Sequence, residues 1–265
     1  MKKRGIYIVC LLAILAIGGC DNKKSEQKEA NLKKVADLNM NDTKSKDIYN
    51  KALDSYSVWK YEDSVSEVTT TVKSEEASMN MKVTYEVKAN DIGTPNMKHL
   101  AKTTGNIEGE DVKMEVYYED GYVYYDSDDQ HFKAAIVQDE YTGNYVNNKN
   151  AASIKYDFMK KVECEKQDDK YIYEYELDET KYLDYMKALG TDGNKIESMH
   201  DIKILEAYGK TVINADYQIE SYQITMKLDM NIDGNKGILE ITNATSYNNP
   251  NKPNRYFSER WPSFR

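Results

Sequence analysis

The chain has 265 residues, a formal charge of −9 and a mean hydropathy of −0.78. An acidic chain with dispersed lysines is a poor nucleic-acid binder and gains nothing from anionic lipid surfaces. Its 23 tyrosines, against 4 phenylalanines and 2 tryptophans, suit half-buried strands, because the ring is apolar and the hydroxyl can stay wet.

Met1-Lys-Lys-Arg4 is a basic start, Ile6 to Ile17 is an almost unbroken apolar run, and Gly18-Gly19-Cys20 follows. This is the three-part pattern of a secretory signal. The apolar run is shorter than the roughly 20 residues a spanning helix needs. Ile17-Gly18-Gly19-Cys20 has the form of a lipobox. Residues 1–19 are then a signal peptide, and Cys20 is the site of lipid attachment. Diacylation would hold the mature chain on the outer face of the cell membrane, since two acyl chains anchor stably where one is marginal. Loss of Lys2, Lys3 and Arg4 moves the formal charge from −9 to about −12. Residues 20–45, the lipidated cysteine and a charged stretch without apolar periodicity, read as a flexible tether. Cys10 falls in the signal and Cys20 takes lipid, so only Cys164 reaches the mature domain. No disulfide within that domain is expected, and its fold must rest on a hydrophobic core.

A single domain is expected over residues 46–247. Ile48, Ala52, Tyr56 and Trp59 recur at helical spacing, with Ser45 or Asp47 able to cap the start. From Val68 the period becomes two. Met79, Met81, Val83, Tyr85 and Val87 alternate with polar residues between Ser78 and Lys88, as in a half-buried antiparallel strand. Further strands follow at 99–107, 112–118, 122–126 and 130–136, with Asp120-Gly121 as a tight hairpin turn. A short helix is expected within 147–158, then a hairpin pairing 161–166 with 171–177. A helix over Thr180–Leu189 would present Tyr182, Leu183, Met186 and Leu189 on one face, and Gly190 would stop it. The end is β again, at 202–207, 210–214, 218–232 and 236–246. Residues 248–265 form an Asn- and Pro-rich polar tail. The expected class is α+β, mainly antiparallel β. About ten strands each have one apolar face, and the helical segments must cover it. A sheet this wide curls, giving a half-barrel with helices over its concave face.

The lipobox, the tether, the leading helix, the long meander with Tyr117-Tyr-Glu-Asp-Gly-Tyr-Val-Tyr-Tyr125 at its centre, the mid-chain helical lid and the final Asp216-Tyr217 strand pair resemble uncharacterised surface lipoproteins of Gram-positive bacteria. Those are similar in fold to the LolA and LppX/LprG lipid-carrier half-barrels. The resemblance implies a cradle with an apolar interior that sometimes holds a lipid. It supplies no fixed set of functional residues.

Two constellations stand out. Asp229, Asn231, Asp233, Asn235 and Glu240 match the spacing of a calcium-binding EF-hand loop. Both flanks alternate with period two, however, so the segment reads as a hairpin turning at Asp233-Gly234-Asn235, and no metal site is expected. The second is a methionine-rich apolar set: Met79, Met81, Val83, Tyr85, Met114, Val116, Met186, Ile224, Met226, Leu228 and Met230. Methionine adapts its shape and serves promiscuous apolar surfaces. The set would line a pocket for a lipid or other hydrophobic ligand, or simply fill the sheet–helix layer. His99, His131 and His200 lack metal-ligand spacing. No Gly-x-Ser-x-Gly, Cys–His pair or Gly-rich phosphate loop occurs, so neither an enzyme nor a cofactor is expected. The alternative is a cell-envelope interaction protein with a packed core, presenting its Tyr-rich outer face to a partner protein.

Overall fold

The computed structural model describes residues 43–74, 78–127, 130–151, 153–182, 202–232 and 235–254. Cys20 and Met186 lie outside them, as do Asp233 and the turn expected around it. Helix α1 (Thr43–Ser57) buries Ser45, Ile48, Tyr49, Ala52 and Tyr56. It opens ahead of the expected caps. Ser45 therefore sits on the buried stripe, where its carbonyl accepts the Tyr173 hydroxyl at 2.9 Å.

Eleven strands follow the helix. The first six are β1 (Tyr61–Ser74), β2 (Ser78–Asn90), β3 (Lys98–Ile107), β4 (Glu110–Glu119), β5 (Tyr122–Ser127) and β6 (Gln130–Ala135). After helix α2 (Gln138–Ala151) and a 3-10 turn at Tyr156–Phe158 come β7 (Met159–Gln167), β8 (Lys170–Leu177), β9 (Lys203–Ile213), β10 (Ile219–Ile232) and β11 (Asn235–Tyr247). They form one sheet in the order β6-β5-β4-β3-β2-β1-β11-β10-β9-β8-β7. Every strand pair is antiparallel. The sheet stays open, a curved α+β half-barrel, with β6 and β7 as its two edges. Between β6 and β7 the chain must travel from one edge to the other, and α2 makes that crossing.

Two-residue turns join β3 to β4 and β4 to β5. Glu108-Gly109 and Asp120-Gly121 both carry positive φ, 53° and 90° in the first pair and 49° and 76° in the second. Those are the backbone values of the tight hairpin turns whose twist matches the strands.

Cross-strand register places one row of inward side chains across nine strands. It runs Val112, Gly105, Val83, Val68, Asn243, Ile224, Gly209, Tyr175, Val162. Glycines thus flank the centre of the row on both sides, where a side chain would resist the curl. A Cβ on Gly105 would stand 2.3 Å from the Lys82 carbonyl oxygen. A Cβ on Gly209 would stand 2.0 Å from a ring carbon of Tyr175. Gly209 is therefore not the break expected between 207 and 210. Strand β9 runs through it, and the missing side chain is where the Tyr175 ring lies.

One other expectation changes. The crossing helix begins at Gln138, well before 147, and residues 156–158 are only a 3-10 turn. Helical backbone is present at 179–182, and the rest of the Thr180–Leu189 expectation falls outside the described residues. The start of the polar tail is docked on the domain. Asn251 Oδ1 accepts the Lys60 amide at 2.8 Å, and the Asn254 amide donates to Asn90 Oδ1 at 3.1 Å.

The EF-hand-like segment lies on β10 and β11. Asp229 stands opposite Ile238, and Glu240 stands opposite Lys227. Glu240 is engaged by Lys227 at 3.3 Å and Lys73 at 3.9 Å. Among the described residues no group of three or more His, Cys, Asp or Glu is placed to hold a metal.

Candidate functional site: the concave face

The inward face divides into a roofed half and an open half. Helix α1 roofs β7 to β11. Tyr49 is the pivot, meeting Tyr173, Tyr156 and Tyr175 edge-on at 5.1, 5.7 and 6.5 Å between ring centroids. Its hydroxyl donates to the Ile154 carbonyl at 3.1 Å. Trp59, just past the helix, packs edge-on against Tyr56 and Tyr247 at 4.9 and 5.1 Å. Each such aromatic pair adds about 0.5–1.5 kcal/mol beyond the area it buries. This is where the unusual tyrosine count goes: the rings are apolar core, and their hydroxyls reach carbonyls and one another. The Tyr247 hydroxyl donates to Tyr56 Oη at 3.0 Å.

The space left under α1 is a cavity of about 20 Å³, bounded by Tyr49, Leu53, Tyr56, Tyr175, Tyr222 and Tyr247 among others. That is room for a water, not for an acyl chain. None of the described members of the methionine-rich set lines it. Seven members of that set, Met79, Met81, Val83, Ile224, Met226, Leu228 and Met230, belong instead to the continuous buried core.

Helix α2 is not amphipathic, and polar contacts dock it. Tyr141, Tyr145 and Lys149 recur every four residues and so share one face. Tyr141 stacks on Tyr118 at 3.9 Å, and its hydroxyl lies 2.7 Å from His99 Nδ1. The Tyr145 hydroxyl donates to Glu62 Oε2 at 2.9 Å, while Ser64 Oγ donates to Glu62 Oε1 at 2.8 Å. Lys149 Nζ donates to the Tyr56 carbonyl at 2.6 Å and stands over the Tyr56 ring at 4.6 Å. Burial pulls the Lys149 ammonium down to about 8, with the Glu62 carboxylate acting in the opposite direction. Burial likewise pulls His99 down to about 4, so the ring is neutral at pH 7. Burial pushes the Tyr145 phenol well above its ordinary value. The sequence pattern gave no sign of this network, because Glu62, Ser64 and Ser66 occupy inward positions of β1 where alternation calls for apolar residues.

The open half is the inward face of β2 to β5 away from α2. Tyr85, Val87, Ala101, Ile107, Met114, Val116 and Tyr125 are all half-buried there. Three of them, Tyr85, Met114 and Val116, belong to the expected ligand-lining set. The open half adjoins buried residues through direct pairs: Met81 opposite Ile107 and Thr103 opposite Met114. The inward positions of β1 to β6 carry three carboxylate or imidazole groups: Glu62 and His99, both buried at the α2 end, and Glu110, exposed at the start of β4 opposite Ile107. Away from Glu110 at its rim, the surface that stays partly exposed is an uncharged, mainly apolar trough.

The outward face differs in kind. Cross-strand ion pairs cover it, including Lys88–Asp63 at 2.9 Å, Lys102–Glu115 at 2.7 Å and Lys170–Glu220 at 2.6 Å. A depression of about 410 Å³ over β7 to β10 is lined by Lys161, Glu163, Glu174, Glu176 and Lys210 with Tyr208. Lys161 pairs with Glu176 at 2.7 Å and Lys210 with Glu174 at 2.5 Å, as on a solvated charged surface.

No family model matches the chain, and no curated protein matches it. Among solved structures it is similar to LprF from Mycobacterium bovis, at 10% identity and a TM-score of 0.40, over 80% of this chain and 94% of that one. It is also similar to a DUF1329 family protein from Desulfovibrio piger, at 9% identity and a TM-score of 0.29, over 81% of this chain and 97% of that one. Likeness at this level assigns no ligand and no residue role. The half-barrel assignment stands on the strand order and register described above.

Proposed function

We propose that the mature chain is a non-enzymatic binding or carrier module. Cys20 and its lipid hold it on the extracellular face of the cell membrane, and it takes a lipid or other hydrophobic ligand against the concave face. The observation that carries this reading is the uncharged trough of Tyr85, Val87, Met114, Val116 and Tyr125, which the two helices leave partly open. An apolar ligand laid there would remove half-exposed strand positions from water, at about 25 cal/mol for each Å² buried. The roofed half is filled, so the trough, and not the space under α1, is the proposed seat.

The filling under α1 also favours a second reading, an envelope interaction protein that holds no ligand. Organic extraction of protein purified from its own host, followed by mass analysis, separates the two. Acyl species recovered in near-stoichiometric amount, and lost on Val116→Glu, support the carrier. A clean extract from folded protein contradicts it.

A further inference from the structure

An open sheet has two edges, and here they are treated differently. Edge strand β7 is blunted. Its register slips between Met159 and Lys161, and Lys160, Lys161 and Lys166 stud it. Lys160 and Lys161 are tied by ion pairs to Glu179 and Glu176. A bulge and lysines are the usual devices that keep an edge from pairing with another chain. Edge strand β6 has no bulge, and among the described residues nothing covers it. Its register with β5 is regular from Gln130 to Ala135, and all six residues are exposed. Phe132, Ile136 and Val137, at the edge or just beyond it, are 52, 36 and 65% exposed.

The orientation of the free backbone groups follows from one bond. The Ile136 amide donates to the Gly121 carbonyl at 2.9 Å. Hydrogen bonding in an antiparallel pair alternates. Residues 130, 132, 134 and 136 therefore face β5, and the N–H and C=O groups of His131, Lys133 and Ala135 point away from the sheet.

We infer that β6 is a strand-addition site for an extended segment of another protein, apolar on the side facing Phe132 and acidic opposite Lys133. On the inward side Phe132 stacks on Tyr125 at 4.9 Å, with Gln130 and Ala134 to either side along the strand, so an apolar side chain of an added strand opposite Phe132 would extend this layer. On the outward side His131 is already paired with Asp126 at 2.8 Å. Lys133 lies over the rings of Tyr122 and Tyr124 at 4.0 and 4.8 Å and has no carboxylate partner among the described residues. A carboxylate directly across from it would make a cross-strand opposite-charge pair. A second copy of this chain fits less well. The two-fold register that uses all three outward residues sets Lys133 against Lys133, and like charges directly opposite repel. This inference rests on the edge strand alone and stands or falls apart from the concave-face reading.

The test uses the whole mature chain and fluorescein-labelled peptides that alternate valine and threonine around one central glutamate or one central lysine, read by anisotropy. The glutamate peptide should bind at least about ten-fold more tightly, and Lys133→Glu should invert that preference. Ala135→Pro removes an outward N–H while sparing the β5 ladder, so it should cut binding of both peptides about ten-fold or more at an unchanged thermal midpoint. If Ala135→Pro does not fold, the Lys133→Glu inversion decides. Absence of binding by either peptide, or equal binding by all variants, overturns the proposal. So does a wild-type chain that sediments as a dimer and becomes monomeric in Ala135→Pro, because the occupant is then a second copy.

Discussion

Replacing Gly209 by alanine puts the link between β9 and the aromatic core under load. The added Cβ would lie 2.0 Å from a Tyr175 ring carbon, against an ordinary carbon–carbon separation of about 3.5–4.0 Å. The ring must then retreat by more than about 1 Å. It has little room to do so. Tyr175 is 4% exposed, its hydroxyl lies 3.1 Å from Thr211 Oγ1, and Tyr49 packs against it edge-on. Overpacking of a confined site costs about 1–3 kcal/mol, and this geometry belongs at the upper end. Loss of glycine's freedom in the unfolded chain returns about 0.4–1 kcal/mol. The net expectation is a destabilisation of about 2 kcal/mol, a sizeable share of the 5–15 kcal/mol typical of a domain. Urea unfolding of the mature chain would read it as a lower midpoint at constant slope. The decisive comparison is a Tyr175→Leu background, which lacks the two ring carbons and the hydroxyl oxygen that clash. There Gly209→Ala should be neutral or stabilising, giving a coupling of about 2 kcal/mol in the double-mutant cycle. Equal destabilisation in both backgrounds, or wild-type stability for the single variant, would refute the reasoning.

Three further outcomes are expected. His99 titrates near 4 in the folded chain against 6.5 in the unfolded chain. Between those values the unfolded chain takes up a proton that the folded chain refuses. Stability therefore falls as the pH drops from 6.5 towards 4, by up to about 3 kcal/mol, and denaturation of His99→Gln across that window should lose the slope. Glu62→Gln leaves the buried Lys149 ammonium without its counter-charge and should cost about 3 kcal/mol; Glu62→Gln with Lys149→Met should recover part of that in the same unfolding assay. Cys20→Ser should abolish metabolic labelling with tritiated palmitate and release the chain from the membrane fraction; a variant that still labels and still sediments with membranes would sink the anchor assignment.

The parts of the fold that were legible in sequence are those in which one short-range pattern decides the outcome. Helix α1 announces itself through Ile48, Ala52 and Tyr56, and β2 through Met79 to Val87. Helix α2 does not, because Tyr141, Tyr145 and Lys149 dock through hydroxyls and an ammonium and leave no apolar stripe. The first half of β1 was hidden for a related reason. Its inward residues Glu62, Ser64 and Ser66 are buried and polar, so period-two hydrophobicity begins only at Val68. Gly209 read as a break because the ring that explains it comes from β8, a contact no local window contains. At the site, the sequence named the wall but not the filling. It placed Met226 and Met114 in one set, and only packing distinguishes the first, sealed in the core, from the second, half-open on β4.

The most direct test of the concave-face account is methyl NMR on the mature chain with its methionines labelled, titrated with monopalmitoylglycerol. The account predicts that the Met114 methyl shifts as the probe is added, while Met226 and Met230, buried in the core on β10, hold their positions. A titration that moves no methionine methyl, or that moves Met226 and Met230 and leaves Met114 in place, would contradict it.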